Sequence, residues 1–375
     1  METGRVALGD LTPAQRARLV TRAAEVLRAG GLIVLPTETV YGVAGTAGAG
    51  LERLRSMFPA IAPTGHTWHA PDPALVRRVV PLRSPLHRRL LARLAPGPVR
   101  FLVPCTPTEL AALRQALAAP SGVFEGGGEF AARVPDHEFT RSVLGEVDAC
   151  LFMERLAAIA GPGGGPPTGA IGGIDLVVDD GPPRLGRPST SVRLLGTGGW
   201  QVVEEGALAA RAIEARLVRT ILLVCTGNTC RSPMASAIGR ALVADAGPGA
   251  VPTRFVSAGV AAEEGAPASE AAASALRAMS IPFERHRARA LTRDEVARAD
   301  AIWTMTPAHV QAVVGMDPAA RERTATLDPS GAPIPDPIGS PEPVYRRAAE
   351  QIRDLLVRRL ADLDRADPPD AGDDR

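Results

Sequence analysis

Residues 221–233 read Ile-Leu-Leu-Val-Cys-Thr-Gly-Asn-Thr-Cys-Arg-Ser-Pro. An apolar run ends at Cys225, a short loop carries Arg231 and Ser232, and a helix-like stretch follows. A strand that turns into a helix through such a loop gathers backbone N–H groups around a point where an anion can sit. The spacing Cys-x5-Arg places a thiol at the centre of that ring and a guanidinium on its rim. Cations, amides and a helix N-terminus are the surroundings in which cysteine serves as a nucleophile. Cys225 is therefore read as the nucleophile, with Arg231 forking onto two non-bridging oxygens of a phosphoryl group. The amides of residues 226–231, which include Thr226, Gly227, Asn228, Thr229 and Cys230, hold the rest of it. From Thr220 onward strand and helix patterns alternate, as in a parallel sheet covered on both faces.

Residues 219–364 resemble the low-molecular-weight protein tyrosine phosphatase family, which shares this Cys-x5-Arg-Ser loop near its start. A second element of that family, an Asp-Pro pair far downstream, matches Ile334-Pro335-Asp336-Pro337-Ile338-Gly339, with Tyr345 beyond it. Val256-Ser257-Ala258-Gly259, His286-Arg287-Ala288-Arg289-Ala290-Leu291 and Ile302-Trp303-Thr304-Met305 fit between them. The resemblance implies a doubly wound parallel sheet and a metal-free phosphatase reaction. In it Asp336 protonates the leaving atom and then activates water against a cysteinyl-phosphate. Asn228 would pin the loop and Ser232 would support the sulfur; turn chemistry and an N-cap are their plainer roles. Cys230 either forms a reversible disulfide with Cys225 after oxidation or simply packs. Two departures touch the substrate. Ile338 stands where tyrosine-directed members carry an aromatic residue, and Thr229 stands where phosphoarginine-directed members carry threonine, so phosphotyrosine and phosphoarginine are both candidate substrates.

At 375 residues the chain is long enough for two domains, each with its own core. Lys and Arg number 42 against 41 Asp and Glu, so no strong field draws nucleic acid or a membrane surface. Four cysteines, with no Cys-x-x-Cys pair, give neither a disulfide framework nor a zinc site and fit a reducing cytoplasm. No second ligand lies at metal spacing from His286 or His309, both of which read as structural; no metal or cofactor is expected. The opening residues lack a signal-peptide apolar region, and no apolar run is long enough to span a bilayer.

Upstream, Thr12 can cap a helix over 13–29, stopped by Gly30-Gly31 and followed by the strand Leu32-Ile33-Val34-Leu35. This opening and the loop Pro36-Thr37-Glu38-Thr39-Val40-Tyr41-Gly42-Val43 resemble the threonylcarbamoyl-AMP synthase (YrdC-like) family. Pro96-Gly97-Pro98, Ala132-Arg133-Val134-Pro135-Asp136 and Pro188-Ser189-Thr190-Ser191-Val192 carry the resemblance across about residues 13–208. It implies a twisted α/β domain and a pocket built on Thr37, Thr39, Tyr41, Arg133 and Ser189. Its ligand would be small, a nucleotide or threonine, or else RNA, since the family uses ATP, threonine and bicarbonate in tRNA modification. The family's Lys-x-Arg pair is missing, however: Met57-Phe58-Pro59-Ala60-Ile61-Ala62-Pro63-Thr64 stands there. Each lost charge-assisted contact to a polyphosphate costs roughly 1.5–3 kcal/mol. The Ser-Ala-Asn motif expected near 152–165 is replaced by Phe152-Met153-Glu154-Arg155-Leu156 and a Gly/Pro-rich surface loop over 161–169.

The leading expectation is thus a cytoplasmic phosphatase of phosphorylated protein side chains, fused to a degenerate YrdC-like domain. The alternatives are threonylcarbamoyladenylate synthesis, or a ligand- or RNA-binding domain that regulates the phosphatase. Thioredoxin-linked arsenate reduction is not expected, because no cysteine follows Cys230 to complete a relay. A short helix over 208–217 joins the domains, the last helix runs over 342–363, and residues 365–375 form a disordered acidic tail.

Overall fold

The computed structural model describes residues 4–59, 66–120, 123–124, 128–157, 165–167, 171–283 and 285–366. The tail beyond residue 366, and the Gly/Pro-rich stretch 161–169 apart from residues 165–167, lie outside them. The chain forms two compact units that divide between Arg216 and Leu217.

The first unit holds a ten-stranded mixed sheet. Its strands are β1 (Gly4–Ala7), β2 (Ile33–Leu35), β3 (Gly42–Thr46), β4 (Thr67–His69) and β5 (Val99–Pro104), then β6 (Glu129–Arg133), β7 (Leu151–Arg155), β8 (Leu176–Asp179), β9 (Thr190–Leu194) and β10 (Trp200–Glu204). In space they run β1-β8-β2-β3-β7-β4-β6-β5-β9-β10, so few neighbours are consecutive in sequence. The helix Pro13–Arg28 starts as its sequence dictates. Thr12 and Gln15 exchange capping-box hydrogen bonds, and Pro13 fills the first turn where no N–H is needed. Leu19, Ala23 and Leu27 of its apolar stripe pack with Phe139, Val143 and Val147 of the helix Glu138–Val147 onto Ile33, Leu35, Ala44 and Met153. The joining helix is Ala210–Leu217.

The second unit is a four-stranded, wholly parallel sheet in the order β12-β11-β13-β14, where β11 is Arg219–Cys225, β12 Thr253–Gly259, β13 Ala301–Thr304 and β14 Thr324–Thr326. All seven residues of β11 are buried, and their alternation divides two cores. Ile221, Leu223 and Cys225 face Met234 and Ile238 of the helix Arg231–Val243 and Ile352 and Leu356 of the final helix. Leu222 and Val224 point the other way, onto Val296, Ile302 and Val313. Trp303 lies in the first of these cores, 4% exposed. The final helix, Glu342–Arg365, buries Ala348, Ile352 and Leu355 and leaves Arg346, Arg347, Glu350 and Arg353 exposed; it takes in Arg365, which the sequence places in the tail. Among the described residues no helix is long and apolar enough to cross a membrane.

Candidate active site

Cys225 is the last residue of β11, and the loop from Thr226 to Cys230 leads directly into the helix that starts at Arg231. Cys225 is 2% exposed, and its Sγ receives the Asn228 backbone N–H at 3.3 Å and lies 3.0 Å from the Ser232 hydroxyl. The amide bond requires the loop to curl back on itself, which Asn228 achieves at φ +53°, a left-handed conformation that asparagine tolerates better than most residues. Its side chain then locks the curl. Nδ2 donates to Ser232 Oγ at 2.9 Å, Oδ1 accepts from the Arg289 N–H at 3.0 Å, and the Asn228 carbonyl accepts from His286 Nε2 at 2.7 Å. Gly259, opposite Cys225 in the sheet, makes room: a Cβ there would meet the Thr226 carbonyl oxygen at 2.5 Å and Asn228 N at 2.9 Å. Only glycine fits beneath this loop.

Arg231 is 5% exposed and its guanidinium is held from three sides. It donates to the Ile334 carbonyl at 3.2 Å, to Thr226 Oγ1 at 3.4 Å, and to the Asp336 carboxylate in an ion pair. Ile334, 1% exposed, anchors the downstream loop through a bond from its N–H to the Met305 carbonyl, and so delivers Asp336 to the site. Asp336 is 40% exposed and Ile338, two residues on, is 68% exposed. A buried thiol that receives the Asn228 N–H, a guanidinium and a half-open carboxylate thus meet at one loop, an arrangement suited to displacement at a tetrahedral anion.

Gly227 and Thr229 are half-buried, and Thr229 Oγ1 lies 3.7 Å from Cys230 Sγ. Cys230 packs in the core, its sulfur 3.7 Å from the Tyr345 hydroxyl; all four cysteines are unpaired and buried. Of the histidines, His286 bonds the loop carbonyl described above, and His309 Nε2 stands 3.0 Å from Thr226 Oγ1, a contact invisible in sequence because 83 residues separate the two. Among the described residues no three His, Cys, Asp or Glu side chains converge as metal ligands.

The first unit contains a cavity of about 290 Å³ that Thr37, Tyr41, Arg133 and Ser189 line. Thr39 is not among the lining residues; it is fully buried and accepts from Arg133 at 2.8 Å. Sequence reading missed the partner that matters most. Glu38, 3% exposed, accepts from Arg133 at 2.8 Å and from the Asp136 N–H at 3.0 Å, so the buried arginine is charge-compensated from within. It also missed Thr67, His69 and Arg100, which complete the wall. Arg100 had a signal: a charged residue inside Val99-Arg100-Phe101-Leu102-Val103, just after Pro96-Gly97-Pro98. Glu154 and Arg155 face the same cavity from the stretch where the Ser-Ala-Asn motif is absent. Arg155 pairs twice with Glu204, at 3.1 and 3.0 Å, and Glu154 bonds His66 at 2.7 Å. The Nε atoms of Arg100 and Arg133 are buried without a hydrogen-bond partner.

Burial, then the charge of Arg133, pushes His69 down to about 3, while its ring lies 3.0 Å from the Thr67 carbonyl. A histidine depressed in the folded state stabilises fully above its unfolded value and loses that contribution as pH falls toward the folded one. The slope is about 1.4 kcal/mol per pH unit between roughly 6.5 and 3. Full-chain urea unfolding should therefore lose about 2 kcal/mol from this residue between pH 6.5 and 5, and His69→Gln should remove that part of the slope. An unchanged slope in the variant would show that His69 is not the group responsible.

The chain is similar to two known families. The family model described as low molecular weight phosphotyrosine protein phosphatase matches residues 220–367. The Sua5/YciO/YrdC model, described as telomere recombination, matches residues 25–158. A protein-arginine-phosphatase of Geobacillus stearothermophilus is 38% identical over 146 residues, 38% of this chain and 93% of that protein. The probable low molecular weight protein-tyrosine-phosphatase EpsP of Ralstonia nicotianae is 35% identical over 151 residues, 39% of this chain and 99% of its own length. A protein-arginine-phosphatase of Bacillus subtilis is 32% identical over 145 residues, 38% of this chain and 93% of that protein. Through its second unit the chain belongs to the low-molecular-weight phosphotyrosine protein phosphatase family, joined here to a Sua5/YrdC-type domain.

Proposed function

We propose that residues 219–364 form a cysteine-dependent protein phosphatase acting on phosphotyrosine or phosphoarginine. The convergence of Cys225, Arg231 and Asp336 carries the reading: 105 residues separate Arg231 from Asp336, yet they meet beside the thiol loop. Cys225 Sγ attacks phosphorus, the bond to the side-chain oxygen or nitrogen breaks, and Asp336 gives the leaving atom its proton. Asp336 then takes a proton from water, which attacks the cysteinyl-phosphate and releases phosphate and the cysteine. Arg231 and the N–H groups of residues 226–231 hold the phosphoryl oxygens; Asn228 and Ser232 keep that cradle in shape. No metal or cofactor enters this sequence of steps.

Exposed Ile338 and half-buried Thr229 bear on substrate choice. Ile338 offers little wall to an aromatic ring, and the Thr229 hydroxyl can address a guanidinium. A panel of phosphotyrosine, phosphoarginine and phosphoserine peptides on the full chain tests this. Thr229→Ile should lower phosphoarginine turnover about fivefold, the worth of roughly 1 kcal/mol, and leave phosphotyrosine turnover equal or higher. Parallel loss of both would assign Thr229 to loop shape instead.

For residues 13–208 we infer a pocket that takes a small ligand, threonine or part of a nucleotide, rather than RNA. The unpartnered buried Nε atoms of Arg100 and Arg133 favour this, because buried donors are nearly always satisfied. Threonylcarbamoyladenylate synthesis is not favoured without the missing cations. Pyrophosphate release requiring threonine, bicarbonate and ATP together would reverse that judgement. Four unpaired cysteines support a cytoplasmic setting.

A further inference from the structure

His309 stands outside the loop, yet its ring is built into the chain of contacts that ends on the phosphate-clamping guanidinium. It lies in the first turn of the helix Pro307–Met316, capped by Thr306, and is 6% exposed. Its Nδ1 is 3.0 Å from Thr306 Oγ1 and its Nε2 is 3.0 Å from Thr226 Oγ1. Arg231 Nη2 reaches the same Thr226 oxygen at 3.4 Å. A guanidinium can only donate, so Thr226 Oγ1 accepts from Arg231, and the Thr226 proton is left able to go to His309 Nε2 when the ring is neutral. The ring's single proton then sits on Nδ1 and goes to Thr306. Every link is used once, provided the imidazole is neutral.

The neutral form is the one its surroundings favour. Burial first, and then the charge of Arg231, lowers the His309 value from its ordinary range, with Asp336 opposing more weakly. These two are the charged groups acting on the ring, one from the start of the helix Arg231–Val243 and one from the downstream loop.

Resting on the phosphatase reading, we propose that His309 is a positioning residue that holds the Thr226 hydroxyl and, through it, orients Arg231 for the phosphoryl oxygens. Asp336 also grips Arg231, and must turn from it to the leaving atom during turnover. The contact through Thr226 keeps the guanidinium aimed when that happens. Protonation of the ring reverses the bond to Thr226 and sets a second positive charge near Arg231, so the hold weakens on the acid side.

A double-mutant cycle on the full chain tests this, read as kcat/KM for p-nitrophenyl phosphate and as competitive inhibition by inorganic phosphate. His309→Leu and Thr226→Val should each lower kcat/KM and weaken phosphate inhibition about tenfold, and together no more than about twofold further, because both break one chain. His309→Gln, whose amide oxygen can accept from Thr226, should stay within about threefold of the parent at pH 7 and lose less activity than the parent as pH falls. Additive losses, near a hundredfold in the double variant, would overturn the proposal, as would a glutamine variant as impaired as the leucine one. Should His309→Leu fail to fold, the cycle of His309→Gln with Thr226→Val decides it on the acid side: with valine at 226 the histidine and glutamine chains must lose activity equally as pH falls, and a difference that persists would overturn the proposal. Failure of the phosphatase reading is separate and would appear as full activity in Cys225→Ser.

Discussion

Cys225→Ser should abolish p-nitrophenyl phosphate turnover, by roughly four orders of magnitude or more, as removal of an attacking nucleophile does in other enzymes. The exchange keeps the shape of a side chain that is 2% exposed and keeps a group able to meet the Asn228 N–H and the Ser232 hydroxyl. Folding and phosphate binding should therefore survive while bond formation to phosphorus does not. Steady-state kinetics together with a thermal unfolding midpoint would separate the two. Undiminished turnover in a folded variant would place the chemistry elsewhere in the chain and remove the mechanism. Trapping of a phosphorylated cysteine in the parent, absent from the variant, is the corresponding positive result.

The second large effect is expected at Asp336, and its signature is dependence on the leaving group. A general acid typically contributes between about a hundredfold and ten-thousandfold. Asp336→Asn should cost that much with phenyl phosphate or a phosphotyrosine peptide, whose leaving oxygen needs a proton. It should cost much less with p-nitrophenyl phosphate, whose leaving group departs readily as an anion. The carboxylate also pairs with Arg231, so a merely electrostatic or structural part in the site is the competing account. That account predicts the same loss with both substrates, and equal losses would remove Asp336 from the acid's role. Because the group is 40% exposed in this arrangement, it has room to move between the arginine and the leaving atom.

What could be read from the sequence follows from how local the determinants are. The apolar run of β11, the Cys-x5-Arg spacing and the helix after it are contiguous, and a loop of that length has few ways to close around its own amides. The two-faced burial of Ile221, Leu223 and Cys225 against Leu222 and Val224 was likewise legible, since a strand alternates its side chains and this one is apolar on both sides. Thr12 and Pro13 announced a helix start because capping acts over three residues. Asp336 was legible only through resemblance; nothing local in Ile334-Pro335-Asp336-Pro337 says that it reaches Arg231.

The first unit marks the boundary from the other side. The family resemblance pointed to the Thr37–Tyr41 loop, Arg133 and Ser189 as a pocket, but not to its balance of charge. Glu154, Arg155, Arg100 and His69 come together because β7, β4, β6 and β5 are neighbours in the sheet although scattered along the chain, and Glu38 reaches Arg133 from the loop between β2 and β3. Each reads locally as an isolated polar residue in an apolar strand. Only the strand order turns them into a cavity wall with compensated arginines and a neutral histidine. The same holds for His309, whose apparent role as an ordinary buried side chain changed once the fold set it 3.0 Å from Thr226. The chain by itself determined that a cysteine, an arginine and the loop that joins them lie together, since hydrogen bonding and sterics act there over a handful of residues. Which distant acid, histidine and glycine surround that loop was decided by tertiary packing alone, because contacts between residues far apart along the chain leave no periodicity or spacing to read.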